Sequence, residues 1–432
     1  MRIAVIGAGI VGLSTARRLI DEGHEITLID RAAGPGEGTS ARNGAQLSYA
    51  YVAPLAAPGL PWQVPGMLLD RSSPLRLKPT LNLHLWRWGF DFLRACNQTQ
   101  VEHATAALLA LAERSRTAMS AWLALQHPAR LAHRRNGKLV VYRDQSGFDG
   151  ACAQLALQAR LGGSPQESLD RAACLAREPA LERLGAVIAG GIWTPDEEVA
   201  DCAAVCRALD VGLRAHPRCT VLYGADDLQW HCEGRDVRAL SVLLAGERKR
   251  IALDAAVVAA GPGSNAVLRA LKLRLPIAPL KGYSIEVGAD DLARFPTASI
   301  TDAARKIVFA PLVDEHGARL RVAGMAELVG DDLRIDPARI AQLERAVDES
   351  FGLRRKPADL QPWAGLRPAT PTGLPCIGRA EQWRNVYVNA GHGALGFTLA
   401  FGSAAQLADA IAHRKGEVDA GPFSVAPLAA AG

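Results

Sequence analysis

Three glycines, Gly7, Gly9 and Gly12, follow a short apolar run (RIAVI, 2–6) and open a segment, 10–22, whose apolar residues recur at helical spacing. A second apolar run, 25–29, ends on Asp30, 18 residues beyond the last glycine. Strand, glycine turn, helix and strand in this order make a right-handed βαβ unit with parallel strands. Within it Gly7 permits the tight turn, Gly9 lets a pyrophosphate approach the backbone, and Gly12 allows close packing of helix on strand. Asp30 can take ribose hydroxyls and disfavours a 2′-phosphate; Arg31 stands beside it as a further cofactor-side candidate. The pattern predicts a dinucleotide site, against the alternative of a merely structural glycine turn.

Most of the remaining chain is different material. Residues 34–66 are rich in Gly, Pro, Ser and Ala without a sustained period and read as a long loop of functional type. Helices are predicted near 80–96, 101–126, 148–162, 200–215 and 335–351. Strands are predicted near 137–143, 187–193, 219–223, 237–244 and 255–260. Alternating segments in 278–326, bounded by Pro, Gly and Asp, predict an antiparallel sheet. The strand NVYVNA (385–390) runs into GHGALG and a helix to about 413, so dinucleotide-type elements sit at both ends of the chain. The expected fold is α/β. A discontinuous Rossmann-like dinucleotide-binding domain takes 1–80, 145–275 and 355–432, and an α+β substrate domain built on an antiparallel sheet takes 81–144 and 276–354.

With 49 basic and 44 acidic residues the net charge is +5, too weak a field over 432 residues to imply nucleic acid as a partner; small metabolites fit better. The eight cysteines form no CxxC pair and the histidines no zinc-type spacing, so no metal site is expected and a reducing compartment is. MRIAVIGAG lacks the parts of a secretory signal, and no stretch offers the roughly 18 to 20 uncharged apolar residues of a membrane span. The expected location is cytoplasmic, or peripheral on the inner face of the cytoplasmic membrane. Segment 71–94 bears on that choice: Arg71, Arg76, Lys78, Arg87 and Arg94 face one acid, Asp91, among Leu81, Leu83, Leu85, Trp86, Trp88 and Phe92. Such a stretch lies on an anionic bilayer or covers the protein's own core.

Four further segments carry chemistry. TSARNGAQ (39–46) supplies Ser40, Arg42, Asn43 and Gln46 directly after the βαβ unit, as a polar loop reaching back over a bound dinucleotide or as plain surface. DAAVVAAGPGS (254–264) is a strand entering a glycine turn, with Gly261 able to approach a cofactor closely. GLRPATPTGLPCIG (365–378) holds one arginine, Arg367, among three prolines and three glycines that exclude a helix. Its planar fork suits a carboxylate, or bonds loop carbonyls. Gly391, Gly393, Gly396 and Thr398 start a helix whose N-terminus favours negative charge. His392 reads as a base or, more in keeping with a glycine turn, as a hydrogen-bonding residue.

These motifs, in this order, resemble the D-amino-acid oxidase superfamily of flavoproteins, and within it the small subunit of bacterial D-amino-acid dehydrogenase. The resemblance runs nearly full length, through TSARNGAQLS, AYVAPLAAPG, PDEEVADC (195–202), PLKGYS (279–284), RVAGMAELVG (321–330), GLRPATPTGLPCIG and AGHGALGFTLAFGS. It implies noncovalent FAD and oxidation of a D-amino acid by hydride transfer from Cα to flavin N5. Hydrolysis then gives a 2-oxo acid and ammonia, and the electrons pass to a quinone-type acceptor. Arg367 would clamp the carboxylate, with Tyr51 and Tyr283 as secondary carboxylate or pocket candidates and Trp193 as a further wall. Thr372 and Arg305 depart from the family's usual Asp and Tyr and put the preferred substrate in doubt. Glycine, sarcosine or D-hydroxyproline chemistry is the alternative within the superfamily; a flavin-holding subunit without turnover is the alternative outside it.

Overall fold

The computed structural model describes residues 1–62, 73, 75–78, 81–357 and 359–425. Two large sheets organise it. In the first, Arg2–Ile6 lies between Glu25–Ile29 and Ala255–Val258; Cys219–Leu222 and Val386–Ala390 flank these in parallel, and Cys376–Arg379 closes one edge antiparallel. The helices Ile10–Asp21, Gln98–Leu123, Cys202–Arg214 and Gly396–Ile411 cover one face. A three-stranded antiparallel sheet, Ala225–Glu233, Asp236–Leu244 and Glu247–Ala252, covers the other. Burial on both sides explains why AAVV and VYVNA are unbroken buried runs without alternation. Gly393–Ile411 is long and apolar enough, by length and composition alone, to cross a membrane. Yet 78% of that window is buried in the protein, against the helices Ile10–Asp21 and Gln98–Leu123.

The second sheet has nine strands. The path runs Trp363–Ala369, Ala278–Gly288, Gly317–Leu328, Ile307–Asp314, Ser299–Asp302, Lys138–Tyr142, Gly190–Thr194 and Glu167–Leu169, and Leu75–Leu77 pairs with Gly317–Leu328 off that path. It is antiparallel, as expected, except that Lys138–Tyr142 lies parallel to Ser299–Asp302 and Leu75–Leu77 parallel to Gly317–Leu328. Helix Pro337–Phe351 packs on one face through Leu343, Val347 and Phe351. The other face looks toward the first sheet's loops.

The chain passes between the two bodies more often than the expected boundaries allow. Helix Gln98–Leu123, expected with the substrate sheet, is packed into the nucleotide core. Glu167–Leu169, Gly190–Thr194 and Trp363–Ala369, expected with the nucleotide unit, hydrogen-bond into the nine-stranded sheet. Strand edges recruit partners by register, not by proximity in sequence, and this moves the borders.

Candidate active site

The parallel strands Arg2–Ile6, Ala255–Val258 and Val386–Ala390 are neighbours, so the turns at their carboxyl ends meet: 7–12, 259–263 and 391–396. This is where an open parallel sheet binds ligands. The turns are pressed together. A Cβ on Gly12 would stand 1.8 Å from the Gly7 carbonyl oxygen, one on Gly7 2.5 Å from the Ala259 oxygen, and one on Gly391 2.8 Å from Thr370. Gly7, Gly261, Gly391 and Gly393 also hold positive φ. Helix Ile10–Asp21 begins at Gly9, which has no side chain to cap it, and has no acid in its first turn; Ser40 Oγ takes the Ile10 amide, and the positive end of the dipole faces the glycine turns. Asp30 accepts from the Ala8 amide at 2.5 Å and from Ala32 at 2.8 Å, which fixes its carboxylate beside the glycine loop and leaves lone pairs for hydroxyls. Arg31 is exposed next to it. Among the described residues the buried His392 Nε2 has no partner. A helix start without acids, close-packed glycines, a fixed carboxylate and an imidazole nitrogen without a partner among the described residues fit a long dinucleotide such as FAD.

The 39–48 loop crosses from this cradle to the second sheet. Ser40 Oγ accepts from Ile10 N at 3.0 Å, and Thr39 donates to Leu366 O at 2.6 Å. Four expected cofactor contacts turn out to brace the loop. Arg42 binds Gln361 through its carbonyl and side-chain oxygen, at 2.9 and 2.7 Å. Asn43 closes a turn onto Ala45 N at 3.0 Å. Gln46 donates to Ser299 and accepts from Lys138 Nζ at 3.1 Å, and Thr398 Oγ1 accepts from Ser48 N at 3.1 Å. The side chains are spent on the fold because a loop this long needs internal hydrogen bonds to hold one shape.

Arg367 lies where the two bodies meet: Ala369, two residues on, bridges to His392. Its Nη1 donates to Met325 O at 2.7 Å, and among the described residues it forms no ion pair. Burial alone pushes its guanidinium down to about 10. A desolvated, uncompensated cation is a ready anion site. Tyr283 does not join it. Strand alternation puts Gly282 on the Arg367 face and Tyr283 on the other, where its hydroxyl donates to Glu327 at 2.9 Å and Glu327 accepts from Arg339 at 2.7 Å. Tyr283 is therefore core, and its expected pocket role is corrected. Trp193 is core as well, packed over Gly137 and under the Arg177 guanidinium.

Tyr51 is partly exposed, and its ring covers Lys138 Nζ at 4.2 Å from the centroid. Sequence reasoning missed Lys138. It is buried, donates to Ser48 at 2.9 Å and to Gln46, and burial pushes its ammonium down to about 8 against the pull of Glu197. Glu197, also buried and raised by burial, accepts from Ala50 N at 2.7 Å. The two ionisable groups thus both hold the 46–51 loop. His392 is pushed down to about 3 by burial and stays neutral at working pH, so it has no imidazolium proton to give as an acid. The unfolded chain keeps the Lys138 proton up to the ordinary value of 10.5, whereas the folded chain releases it near 8. The residue's contribution to stability therefore rises with pH across that window. Lys138→Met is expected to flatten the rise of Tm relative to the parent between pH 8 and 10; an unchanged slope would place the titration elsewhere.

Comparison with known proteins agrees with this geometry. The family model described as DAO, FAD dependent oxidoreductase, matches residues 2–410. A D-amino acid dehydrogenase 2 from Ralstonia nicotianae is 48% identical over 99% of this chain and 100% of its own, and one from Pseudomonas aeruginosa is 44% identical over 97% and 96%. Among solved structures, L-proline dehydrogenase from P. horikoshii superposes with a TM-score of 0.73 at 17% identity, covering 98% of this chain and 96% of its own. Glycine oxidase from Geobacillus kaustophilus superposes with a TM-score of 0.71 at 18% identity, covering 98% of each. At such identities these two show the fold alone. With the glycine cradle, the acid and the matched length together, the chain belongs to the DAO family of FAD-dependent oxidoreductases.

Proposed function

We propose that this protein is an FAD-dependent D-amino-acid dehydrogenase that oxidises the amine at Cα to an imine, which water hydrolyses to a 2-oxo acid and ammonia. On this reading the chain plays the part of the small, flavin-bearing subunit. The observation that carries the reading is Arg367: a desolvated guanidinium with no carboxylate partner among the described residues, on the sheet face that meets the 391–396 glycine turn. Bound FAD supplies the two-electron oxidant. Gly7, Gly9, Gly12, Asp30, Ser40, Gly261, Gly391, Gly393 and Gly396 would hold it, and the protein's other contribution is orientation. Arg367 takes the substrate carboxylate by charge-assisted hydrogen bonds and so fixes which face of Cα looks at the glycine turns. Tyr51, with Lys138 Nζ over its ring, would serve as a wall of the substrate site. The relatives' names support a D-amino acid as substrate. The test is anaerobic bleaching of the flavin by a panel of D-amino acids, with L-enantiomers, glycine, sarcosine and D-hydroxyproline alongside. Bleaching by D-amino acids and not by their enantiomers is expected; faster bleaching by glycine or sarcosine would replace the reading with an amine-oxidase one.

We further propose a quinone-type electron acceptor and peripheral contact with the inner face of the cytoplasmic membrane. Helix Leu83–Ala95 supports the contact because both its faces are apolar. Leu85, Trp88 and Phe92 pack into the protein, with Trp88 donating to Ala369 O at 2.8 Å. Leu83, Trp86, Phe90 and Leu93 form an outward stripe, Leu83 78% and Phe90 60% exposed. Of the basic residues expected to help, Arg71 lies outside the described residues and Arg76 is paired with Asp336 at 3.0 Å, which leaves Lys78, Arg87 and Arg94. At about 1 kcal/mol per basic residue near an anionic surface, plus burial of the stripe, the protein should sediment with anionic vesicles at low salt and be released as salt rises. Leu83→Ser with Phe90→Ser should weaken that binding by about tenfold without altering dye-linked turnover. Failure of the parent to bind would remove the membrane contact. Reoxidation in air as fast as turnover with a dye would replace the quinone-type acceptor by oxygen.

A further inference from the structure

We propose that Gly282 is a positioning residue for Arg367, and that the bulge at Met325 is the other half of the same device; the proposal rests on reading Arg367 as the carboxylate clamp. Arg367 pairs directly with Leu280, and Gly282 is its diagonal neighbour on the same sheet face. The guanidinium lies flat over that glycine. A Cβ built on Gly282 would stand 2.5 Å from Nη2 and 2.6 Å from both Cζ and Nη1. Having crossed the Ala278–Gly288 strand through this gap, the side chain donates from Nη1 to the carbonyl of Met325 on the next strand. There the pairing slips: Lys281 faces Glu327 and Tyr283 faces Gly324, so three steps on one strand answer two on the other. Met325 takes the left-handed conformation at φ 65, which marks a bulge. The arginine thus ties down one edge of its fork, and among the described residues the other edge has no hydrogen-bond partner.

Nothing in the backbone asks for glycine at this point. Gly282 is not among the residues with positive φ, and its strand is regular toward Trp363–Ala369. A glycine inside such a strand marks a close approach, here of the guanidinium. Since the obstructed atoms are the far end of a flexible side chain, Gly282→Ala should fold and bind FAD, with Arg367 lifted by roughly 1 Å to reach ordinary contact distance. A shift of that size disorients a clamp without dismantling the site.

The experiment uses Gly282→Ala, Arg367→Ala and the double variant in the FAD-loaded enzyme. Benzoate serves as an unreactive carboxylate probe, read by perturbation of the flavin absorbance, beside KM and kcat for the best D-amino acid. Gly282→Ala is expected to keep parental FAD content, to weaken benzoate and raise KM by about tenfold or more, and to change kcat less. The double variant should be no worse than Arg367→Ala, because Gly282 acts through the arginine. Parental benzoate affinity and KM in Gly282→Ala, or additive losses in the double variant, would overturn the proposal. Should Gly282→Ala fail to fold, deleting the guanidinium in the double variant should restore yellow protein; a double variant that also fails would place the need for glycine in the backbone and overturn it too. If Arg367→Ala itself binds benzoate normally, the clamp reading fails, a result separable from failure of Gly282 alone.

Discussion

Arg367→Ala is expected to lower kcat/KM for D-amino acids by roughly 10²- to 10⁴-fold, the equivalent of losing two charge-assisted hydrogen bonds of about 1.5 to 3 kcal/mol each. FAD should stay bound, because the guanidinium touches Met325 O and the surface over Gly282 and makes no hydrogen bond to the nucleotide cradle. Stability should hold or rise. Burial has already pushed this cation down to about 10 with no acid opposing it among the described residues, so removing it relieves a desolvation cost at the expense of one bond to a carbonyl. The combination of lost turnover, retained yellow colour and undiminished Tm is the signature of a functional charge; a structural arginine would lower Tm. Arg367→Lys should recover only part of the activity, since an ammonium offers no planar fork. Parental kcat/KM in a yellow Arg367→Ala protein would move carboxylate recognition to another residue.

Much of this site can be read along the chain, and where reading stops has a physical cause. Gly7, Gly9, Gly12 and Asp30 announce themselves because a βαβ unit is local: about thirty residues contain every part. Arg367 is visible because prolines and glycines on both sides exclude a helix. Tyr283 misleads because an aromatic next to a glycine in PLKGYS looks like a pocket wall. Parity decides otherwise, since Gly282 and Tyr283 face opposite sides of one strand and only Gly282 meets the arginine. Lys138 is invisible, since a lysine opening the strand KLVVY reads as solvated; it is buried by the 46–51 loop, some ninety residues earlier, and no periodicity carries that information. The strands Ala225–Glu233 and Glu247–Ala252 escape for the opposite reason: Glu247–Ala252 is polar and largely exposed without alternation, Ala225–Glu233 alternates only over Leu228, Trp230 and Cys232, and both exist through pairing with Asp236–Leu244. The 71–94 stretch poses membrane against core, and the helix divides its apolar residues between an inward and an outward face.

The second large effect is expected at Gly12, and it should separate folding from cofactor binding within one motif. A Cβ at Gly12 would lie 1.8 Å from the Gly7 carbonyl oxygen, a backbone atom held by the central strand, while a Cβ at Gly9 would meet only the Ser40 hydroxyl at 3.3 Å. Ser40 can give by a few tenths of an ångström; the Gly7 backbone cannot, because Gly7 N is bonded to Ile29 O at 2.8 Å and Ala259 presses on its other side. Gly12→Ala must therefore push helix Ile10–Asp21 off the sheet, where Leu13, Ala16 and Leu19 are fully buried. Overpacking of this kind costs roughly 1 to 3 kcal/mol or more. With about 2 °C of Tm lost per kcal/mol in a chain of this size, a drop of several degrees together with loss of bound FAD is expected. Gly9→Ala should keep the parental Tm of the apoprotein while weakening FAD, since its methyl enters the space a pyrophosphate needs above the helix start. Thermal denaturation of apoproteins and FAD titration of each variant measure the two effects apart. Equal Tm and equal FAD affinity in Gly12→Ala would mean that the helix slides freely on its strand, and the cradle would then have to be built on the 259–263 and 391–396 turns instead.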